Sequence, residues 1–261
     1  MKALQVIQDW GEPYWTRSTL WKQPLEEMKG QPVSRMLTRL VLLSRRKYVL
    51  DVDGKEHIGV DKGPFILVAN HSQYAEAIVM GALLAFLRRG RRVRFLADWN
   101  FALIPPVALL YHCAHLILLD QKPARPRFLK VFKPLFVGDV SGFEQARQAL
   151  ADGDCVGIFP EGTTNRDPRQ LLKGHSGAAR LSLQTGVPLV PTGIRYPGYT
   201  GVKRIGERAA AEVRFGAPMQ PGAAIEKPPL RDVREWHQQM MAAISELSGK
   251  RQSTMRRHRK E

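Results

Sequence analysis

Two polar clusters in this chain each follow directly on an apolar run. The first is Asn70-His71-Ser72-Gln73-Tyr74-Ala75-Glu76, after the run 65–69. An imidazole can take and return a proton near neutral pH. A carboxylate on one ring nitrogen would set its tautomer and leave the other nitrogen as a general base. On one continuous helix, positions 71 and 76 would not share a face. With His71 in a loop and Glu76 in the first helical turn, the two can meet. Otherwise His71 is a lone loop histidine, and Glu76 an acid stabilised by a helix N-terminus. The second cluster is Pro160-Glu161-Gly162-Thr163-Thr164-Asn165-Arg166, after the run 155–159. Gly162 lets the backbone come close to a ligand. Thr163, Thr164 and Asn165 offer neutral hydrogen-bonding groups, and Arg166 offers a fork suited to a phosphate. A plain Pro-Glu-Gly turn accounts for the proline and the glycine but not for the dense polar set.

Both clusters need a frame that brings them together. Apolar runs over 65–69, 93–97, 115–119, 155–159 and 189–194 read as strands, with a further strand over 211–215. Segments 76–87, 142–151 and 176–185 read as helices, and 230–247 as a closing helix. This alternation predicts an α/β fold: a mostly parallel sheet flanked by helices, with an N-terminal helical segment. In parallel sheets, ligand sites collect at the carboxyl ends of strands, where both clusters fall. Asn70 or Ser72 is placed to cap the helix that begins at Glu76.

The chain has 261 residues, with 40 Lys plus Arg against 24 Asp plus Glu, a formal net charge of +16. An apolar fraction of 44% argues against global disorder. Two cysteines, Cys113 and Cys155, exclude a disulfide framework. Residues 1–21 do not read as a signal peptide. The positive charge favours an anionic partner: nucleic acid, phospholipid headgroups or a phosphorylated substrate. The basic residues cluster at 88–94, 122–133 and 250–260. None of the clusters has the aromatic interleaving of a single-strand binder, and no helix-turn-helix or zinc-finger spacing occurs. The run 99–119 is long enough to span a bilayer. Pro105 and Pro106 in its middle, with Asn100, His112 and His115 along it, favour a helix and a strand instead. Residues 33–48 set Val33, Met36, Leu37, Leu40, Val41 and Leu43 near helical spacing among Arg35, Arg39, Arg45, Arg46 and Lys47. Such a basic amphipathic helix suits a membrane surface, and equally an ordinary helix packed on the core.

NHSQYAE and FPEGTTN, in that order and about 90 residues apart, resemble two sequence blocks of the glycerolipid acyltransferase family. That family includes the 1-acylglycerol-3-phosphate acyltransferases. Its first block is His-x4-Asp and its third is Phe-Pro-Glu-Gly-Thr. Val187-Pro188-Leu189-Val190-Pro191 is similar to the fourth, an apolar run with a proline in front of a strand. The resemblance covers about residues 60–220. Each block alone is a weak signal, but their joint occurrence, order and spacing are specific. The resemblance implies transfer of a fatty acyl group from acyl-CoA or acyl-carrier protein to a hydroxyl of a lysophospholipid-like acceptor. His71 matches the family's catalytic base, and Glu76 matches the aspartate that orients it. Glu161, Gly162 and Thr163 match the block that binds the acceptor. No covalent acyl-enzyme, metal or resident cofactor is implied. Helix 77–87 and the run 101–110 are candidate walls for the acyl chain.

Two positions depart from the family pattern. Glu76 stands where Asp is usual; it keeps the carboxylate and adds one methylene, and the related lipid A secondary acyltransferases also accept Glu there. In the second block an arginine usually follows the strand, and in many phosphatidate-forming members another follows the Thr of the third block. Here Asp120-Gln121-Lys122 follows the strand and Thr164 takes the later place. Lys122, Arg125 and Arg166 are the candidates to replace those arginines at the acceptor's phosphate, and a non-glycerophosphate lipid acceptor is the alternative.

Other candidates are weaker. Gly174-His175-Ser176-Gly177-Ala178 resembles the elbow of a serine esterase but lacks the preceding strand, so it reads as a helix start. His112 and His115 have no partner set that completes a metal site. A noncatalytic nucleic-acid binder is the remaining rival, and the motifs tip the positive charge toward anionic lipid instead. The expected organisation is an N-terminal helical, membrane-associating segment over 1–50, an acyltransferase domain over 51–248 and a basic disordered tail over 249–261. The expected partners are the acyl donor, the acceptor and a membrane surface, with no nucleic acid. Arg88–Arg94 and the N-terminal basic helix are placed to hold the bilayer, at the cytoplasmic face of the cell membrane.

Overall fold

The computed structural model describes residues 16–120, 131, 132, 134, 138, 140–199, 201 and 203–252. Lys122, Arg125 and the tail beyond residue 252 lie outside the described residues.

A seven-stranded sheet organises the chain. Its strands are β1 (Val49–Asp53), β2 (Ile66–Ala69), β3 (Val93–Asp98), β4 (Ile117–Leu119), β5 (Cys155–Ile158), β7 (Leu189–Arg195) and β8 (Ala211–Phe215). Their spatial order is β1-β8-β7-β2-β5-β3-β4. Every neighbouring pair runs parallel except β7 and β8. The short strands β6 (Gln170–Leu171) and β9 (Arg251–Gln252) pair separately, also in parallel. The helices are α1 (Arg17–Lys22), α2 (Pro32–Arg45), α3 (Glu76–Leu87), α4 (Pro105–Cys113), α5 (Gly142–Ala151), α6 (Gly177–Thr185) and α7 (Leu230–Ser248).

The central strand β2 shows why the sheet is buried on both sides. All four of its residues are inaccessible. Leu67 and Ala69 join one core with Leu42 of α2 and Met80, Leu83, Leu84 and Phe86 of α3. Ile66 and Val68 join the opposite core, with Ala146 of α5, Leu181 of α6 and Met240 and Ile244 of α7. Strand residues alternate faces, so a continuous apolar run is what a doubly covered parallel strand requires. Helix α3 is apolar on nearly all sides and lies inside the protein, as such a helix must.

The expected α/β architecture is present, and its strand and helix bounds agree closely with the sequence reading. The run 99–119 splits into a 3-10 turn (Trp99–Leu103), α4 and β4. No helix among the described residues is long and apolar enough to cross a membrane.

Several placements differ from the sequence reading. The 50/51 boundary falls inside β1, and α2 packs its inner face into the same core as α3. Residues 249–252 of the expected tail are built into the fold: Gly249 terminates α7, Lys250 is buried and β9 pairs with β6. Neither Asn70 nor Ser72 caps α3, whose N-terminus begins at Ala75 without a side-chain cap. Arg88, expected to face the bilayer, is only 1% exposed. Its guanidinium donates to the carbonyls of Ile58, Gly59 and Lys62 and to Cys155 Sγ, and lies over the Phe65 ring. The 3-10 turn Lys55–Ile58 and the loop after it present their carbonyls inward, and a five-donor guanidinium satisfies them.

Candidate active site

Strand β2 ends at Ala69 and hands the chain to a short loop before α3. Asn70 holds that loop to the neighbouring strand. Its Nδ2 donates to the carbonyl of Ile194, and its Oδ1 accepts from the Ile194 N–H at 2.7 Å. His71 then sits in the loop and Glu76 at the first position of α3. His71 Nδ1 lies 2.7 Å from Glu76 Oε2. The loop solves the spacing problem that a continuous helix would pose.

Glu76 is buried and fully engaged. Oε2 accepts from the Ser72 N–H at 2.7 Å as well as meeting the imidazole. Oε1 accepts from the Tyr196 hydroxyl. Burial first, and the Glu76 charge next, hold the Tyr196 phenol well above its ordinary value, so it stays a donor. With Nδ1 facing the carboxylate, the proton belongs on Nδ1 and Nε2 is the free base. Nε2 has one long contact, 3.4 Å to Thr164 Oγ1. The ring stacks on Phe159 with centroids 4.4 Å apart, and Phe159 stacks on Phe95 at 5.4 Å. Gly157 makes room for this shelf, since a Cβ there would lie 2.6 Å from the Phe95 ring.

The second cluster supports the first from β5. Glu161, expected against the acceptor, is instead spent on the loops. Its Oε1 accepts from the His71 N–H at 3.1 Å, and its Oε2 accepts from Asn165 Nδ2 and the Leu172 N–H. It is 3% exposed and lies outside the cavity lining. Burial pushes its carboxyl up; these donors and Lys250 pull the other way. Gly162 adopts φ +65°, and a Cβ there would come within 2.8 Å of the His175 ring, so glycine both makes the turn and seats His175. Arg166, also expected at the acceptor, is ion-paired with Glu207 and lies over the Tyr74 ring rather than lining the cavity. Ser176 precedes α6 as a helix start, not an elbow after a strand.

His71, Gly162, Thr163 and Thr164 open onto a cavity of about 750 Å³. Its walls are mostly apolar: Ala77 and Ile78 of α3, Phe101, Val107 and Tyr111, Leu119, and Phe143, Ala146, Ala178 and Leu181 of the opposite helices. Burial pushes the Tyr111 phenol up to about 12, so it enters the cavity as a neutral hydroxyl. Asp98, His175 and Tyr74 also line the cavity. No cluster that could hold a metal occurs among the described residues.

Sequence reasoning missed Tyr196, Lys250 and the Asn70–Ile194 bracket. No local spacing in the chain points to them, because each contact joins residues 120 or more positions apart.

An imidazole held by a buried carboxylate, at the carboxyl ends of parallel strands and facing a mostly apolar cavity, is an arrangement that can take a proton from a hydroxyl beside an apolar chain. The chain belongs to the Acyltransferase family, whose sequence profile matches residues 49–195. It is similar to the chloroplastic 1-acyl-sn-glycerol-3-phosphate acyltransferase LPAT1 of Arabidopsis thaliana, at 23% identity over 55% of this chain. The chain spans about a third of that relative's length, 35%. It is also 23% identical to the 1-acyl-sn-glycerol-3-phosphate acyltransferase of Bacillus subtilis (strain 168), over 80% of this chain and 93% of that one. Among solved structures it resembles PlsC, the 1-acyl-sn-glycerophosphate acyltransferase of Thermotoga maritima. The TM-score is 0.56 at 18% identity, covering 90% of this chain and 89% of that chain. This likeness shows a shared fold.

Proposed function

We propose that this protein is a 1-acylglycerol-3-phosphate acyltransferase-like enzyme of phospholipid biosynthesis or remodelling, acting at a membrane surface. The observation that carries the reading is the 2.7 Å contact of His71 Nδ1 with the buried Glu76 carboxylate, at the wall of an apolar cavity of about 750 Å³. His71 Nε2 takes the proton from an acceptor hydroxyl as that oxygen attacks the thioester carbonyl of acyl-CoA or acyl-carrier protein. The C–S bond of the tetrahedral adduct then breaks, and the imidazolium returns the proton to the leaving thiolate. Glu76 holds the Nδ1–H and stabilises the transient imidazolium. The family resemblance supports the same roles for these two residues and an acceptor-binding role for Gly162 and Thr163, and Thr164 lines the same cavity beside them.

The surface supports a membrane location. Val33, Met36 and Leu40 of α2 are exposed, as are Trp21, Phe101, Ile104 and Leu109. Helix α2 also packs against α4, so these residues come from adjoining elements. Basic residues Arg17, Lys22, Lys29 and Lys47 flank the α1–α2 region on exposed positions. An apolar face rimmed by cations fits an anionic lipid surface, where each cation contributes about 1 kcal/mol. The opposite stripe of α2, Ser34, Thr38 and Leu42, is buried, so this helix serves the core and the surface together.

The test is acyl transfer from labelled acyl-CoA and acyl-carrier protein to a panel of acceptors with and without a glycerol phosphate. The expected result is a single radiolabelled diacyl product from 1-acylglycerol-3-phosphate, abolished in a folded His71→Ala variant. Substantial transfer by that variant would remove the mechanism. Product only from acceptors lacking the phosphate would replace the substrate.

A further inference from the structure

Lys250 lies far along the chain from the motifs that carry the chemistry, yet it ends beside them. It is 3% exposed, and its Nζ donates to Ser72 Oγ at 2.8 Å. Ser72 is the residue whose own N–H holds Glu76 Oε2. One lysine therefore grips the side chain of the loop residue that grips the base's carboxylate.

The segment carrying it is fixed from both sides. Gly249 turns the chain out of α7 with φ +70°, and a Cβ there would meet the Arg195 guanidinium at 3.5 Å. The Lys250 N–H donates to Ser248 Oγ, and its carbonyl accepts from Ser245 Oγ. The next residue enters β9, where the Arg251 N–H donates to the Arg169 carbonyl at 2.8 Å. Such a frame leaves the ammonium little freedom.

A buried ammonium held by a neutral hydroxyl is costly, and a methionine would fill the space without that cost. What the cation meets is negative charge. Glu76 and Glu161 are both buried, and each accepts a backbone N–H from the His71–Ser72 pair. Burial lowers the Lys250 pKa, and the charges of Glu161, Glu76 and Asp167 pull the other way. Behind Lys250 lies a second cavity, about 520 Å³, lined by Arg169, Arg195, Arg214 and Arg251 with Glu212. On the far side of Glu76 are Tyr196 and, beyond it, Glu207. Lys250 is thus a buried cation whose charge acts on both of these carboxylates from within the protein.

We infer that Lys250 is a positioning residue of the acyl-transfer site, holding Ser72 and balancing the Glu76 and Glu161 charges so that the His71–Glu76 pair keeps its working protonation. This rests on the proposed function for the step it serves. A nearby cation opposes protonation of every group around it. Removing it takes away a charge that opposes protonation at the loop, so the acid limb of activity moves to higher pH.

The experiment compares wild type, Lys250→Met, Lys250→Gln and Lys250→Arg in the full chain, with kcat and donor KM measured across about pH 5 to 9. In parallel, the His71 imidazole is titrated by NMR, which needs no turnover. The expected result for the neutral variants is a donor KM within about twofold, with the acid limb and the NMR midpoint both displaced to higher pH. Lys250→Arg restores both toward wild type. A rate loss equal at every pH with an unmoved midpoint overturns the proposal. So does loss of the fold in both neutral variants while Lys250→Arg folds, because Lys250 would then be a structural cation. A wild type without acyl transfer would sink the enzymatic reading, and the NMR midpoint would still decide Lys250's role.

Discussion

Tyr196, the residue after β7, donates its hydroxyl hydrogen to Glu76, the first residue of α3 and 120 positions earlier in the chain. The contact exists because β7 lies beside β2 in the sheet, with Ala69 in register with Thr192. Together with His71 and the Ser72 N–H it gives the Glu76 carboxylate three polar partners. A buried carboxylate supplied in this way has one orientation, and the imidazole it holds has one tautomer.

Tyr196→Phe should therefore lower kcat while leaving the donor KM near wild type. A hydrogen bond to a charged group is worth about 1.5–3 kcal/mol, or roughly ten- to a hundredfold in rate. Glu76→Gln keeps the shape and loses the charge, so its turnover should fall by about a hundredfold or more with donor binding intact. Steady-state kinetics on both variants decide the matter. A phenylalanine variant at wild-type speed would make Tyr196 a packing residue.

Glu161→Gln should weaken the fold first. The amide nitrogen would meet donors from His71, Asn165 or Leu172, at a cost of about 2–4 kcal/mol read by denaturant unfolding. The wild-type difference also has a pH sign. Burial raises the Glu161 carboxyl above its ordinary value of 4.5, so the folded state binds that proton more tightly than the unfolded chain. Its contribution to stability is present in acid and declines as pH rises through the window above 4.5. The stability gap between wild type and variant should narrow across that window; a gap that widens there contradicts the assignment.

Arg88→Met should lose about 2–4 kcal/mol, because the carbonyls of Ile58, Gly59 and Lys62 lose their donor inside the protein. Vesicle binding by the folded fraction should be unchanged. Cosedimentation with anionic vesicles, beside a thermal melt, separates the two effects. Weakened vesicle binding at an unaltered melting temperature would return Arg88 to the surface.

Met36→Asp combined with Leu40→Asp should show the reverse pattern. Both side chains are exposed, so the melt should move little. Partition onto anionic vesicles should fall by about tenfold or more, since each apolar side chain inserted is worth about 1.5–3 kcal/mol. Unchanged partition would move the lipid-facing surface elsewhere.

The amino-acid sequence carries in legible form the α/β alternation, the bounds of most strands and helices, and the two polar clusters at strand ends. These are short-range properties: a continuous apolar run marks a doubly covered strand, and an imidazole five residues before a carboxylate needs only a loop to bridge it. It also brought out the family, because block identity and order survive where overall identity is low.

Tertiary structure alone decided which charged residues serve the site and which serve the fold. Arg88 belongs to an arginine block in the sequence, and only the inward carbonyls of a distant turn make it a core residue. Glu161 and Arg166 sit in the motif beside Thr163 and Thr164, yet the loop geometry turns both away from the cavity lining. Helix α2 carries two stripes, and only its packing on α3 decides which is buried. Tyr196 and Lys250 reach Glu76 and Ser72 from 120 and 178 positions away. Sheet order and the β6–β9 pairing create those contacts, and such long-range proximity leaves no periodicity or spacing in the chain to read.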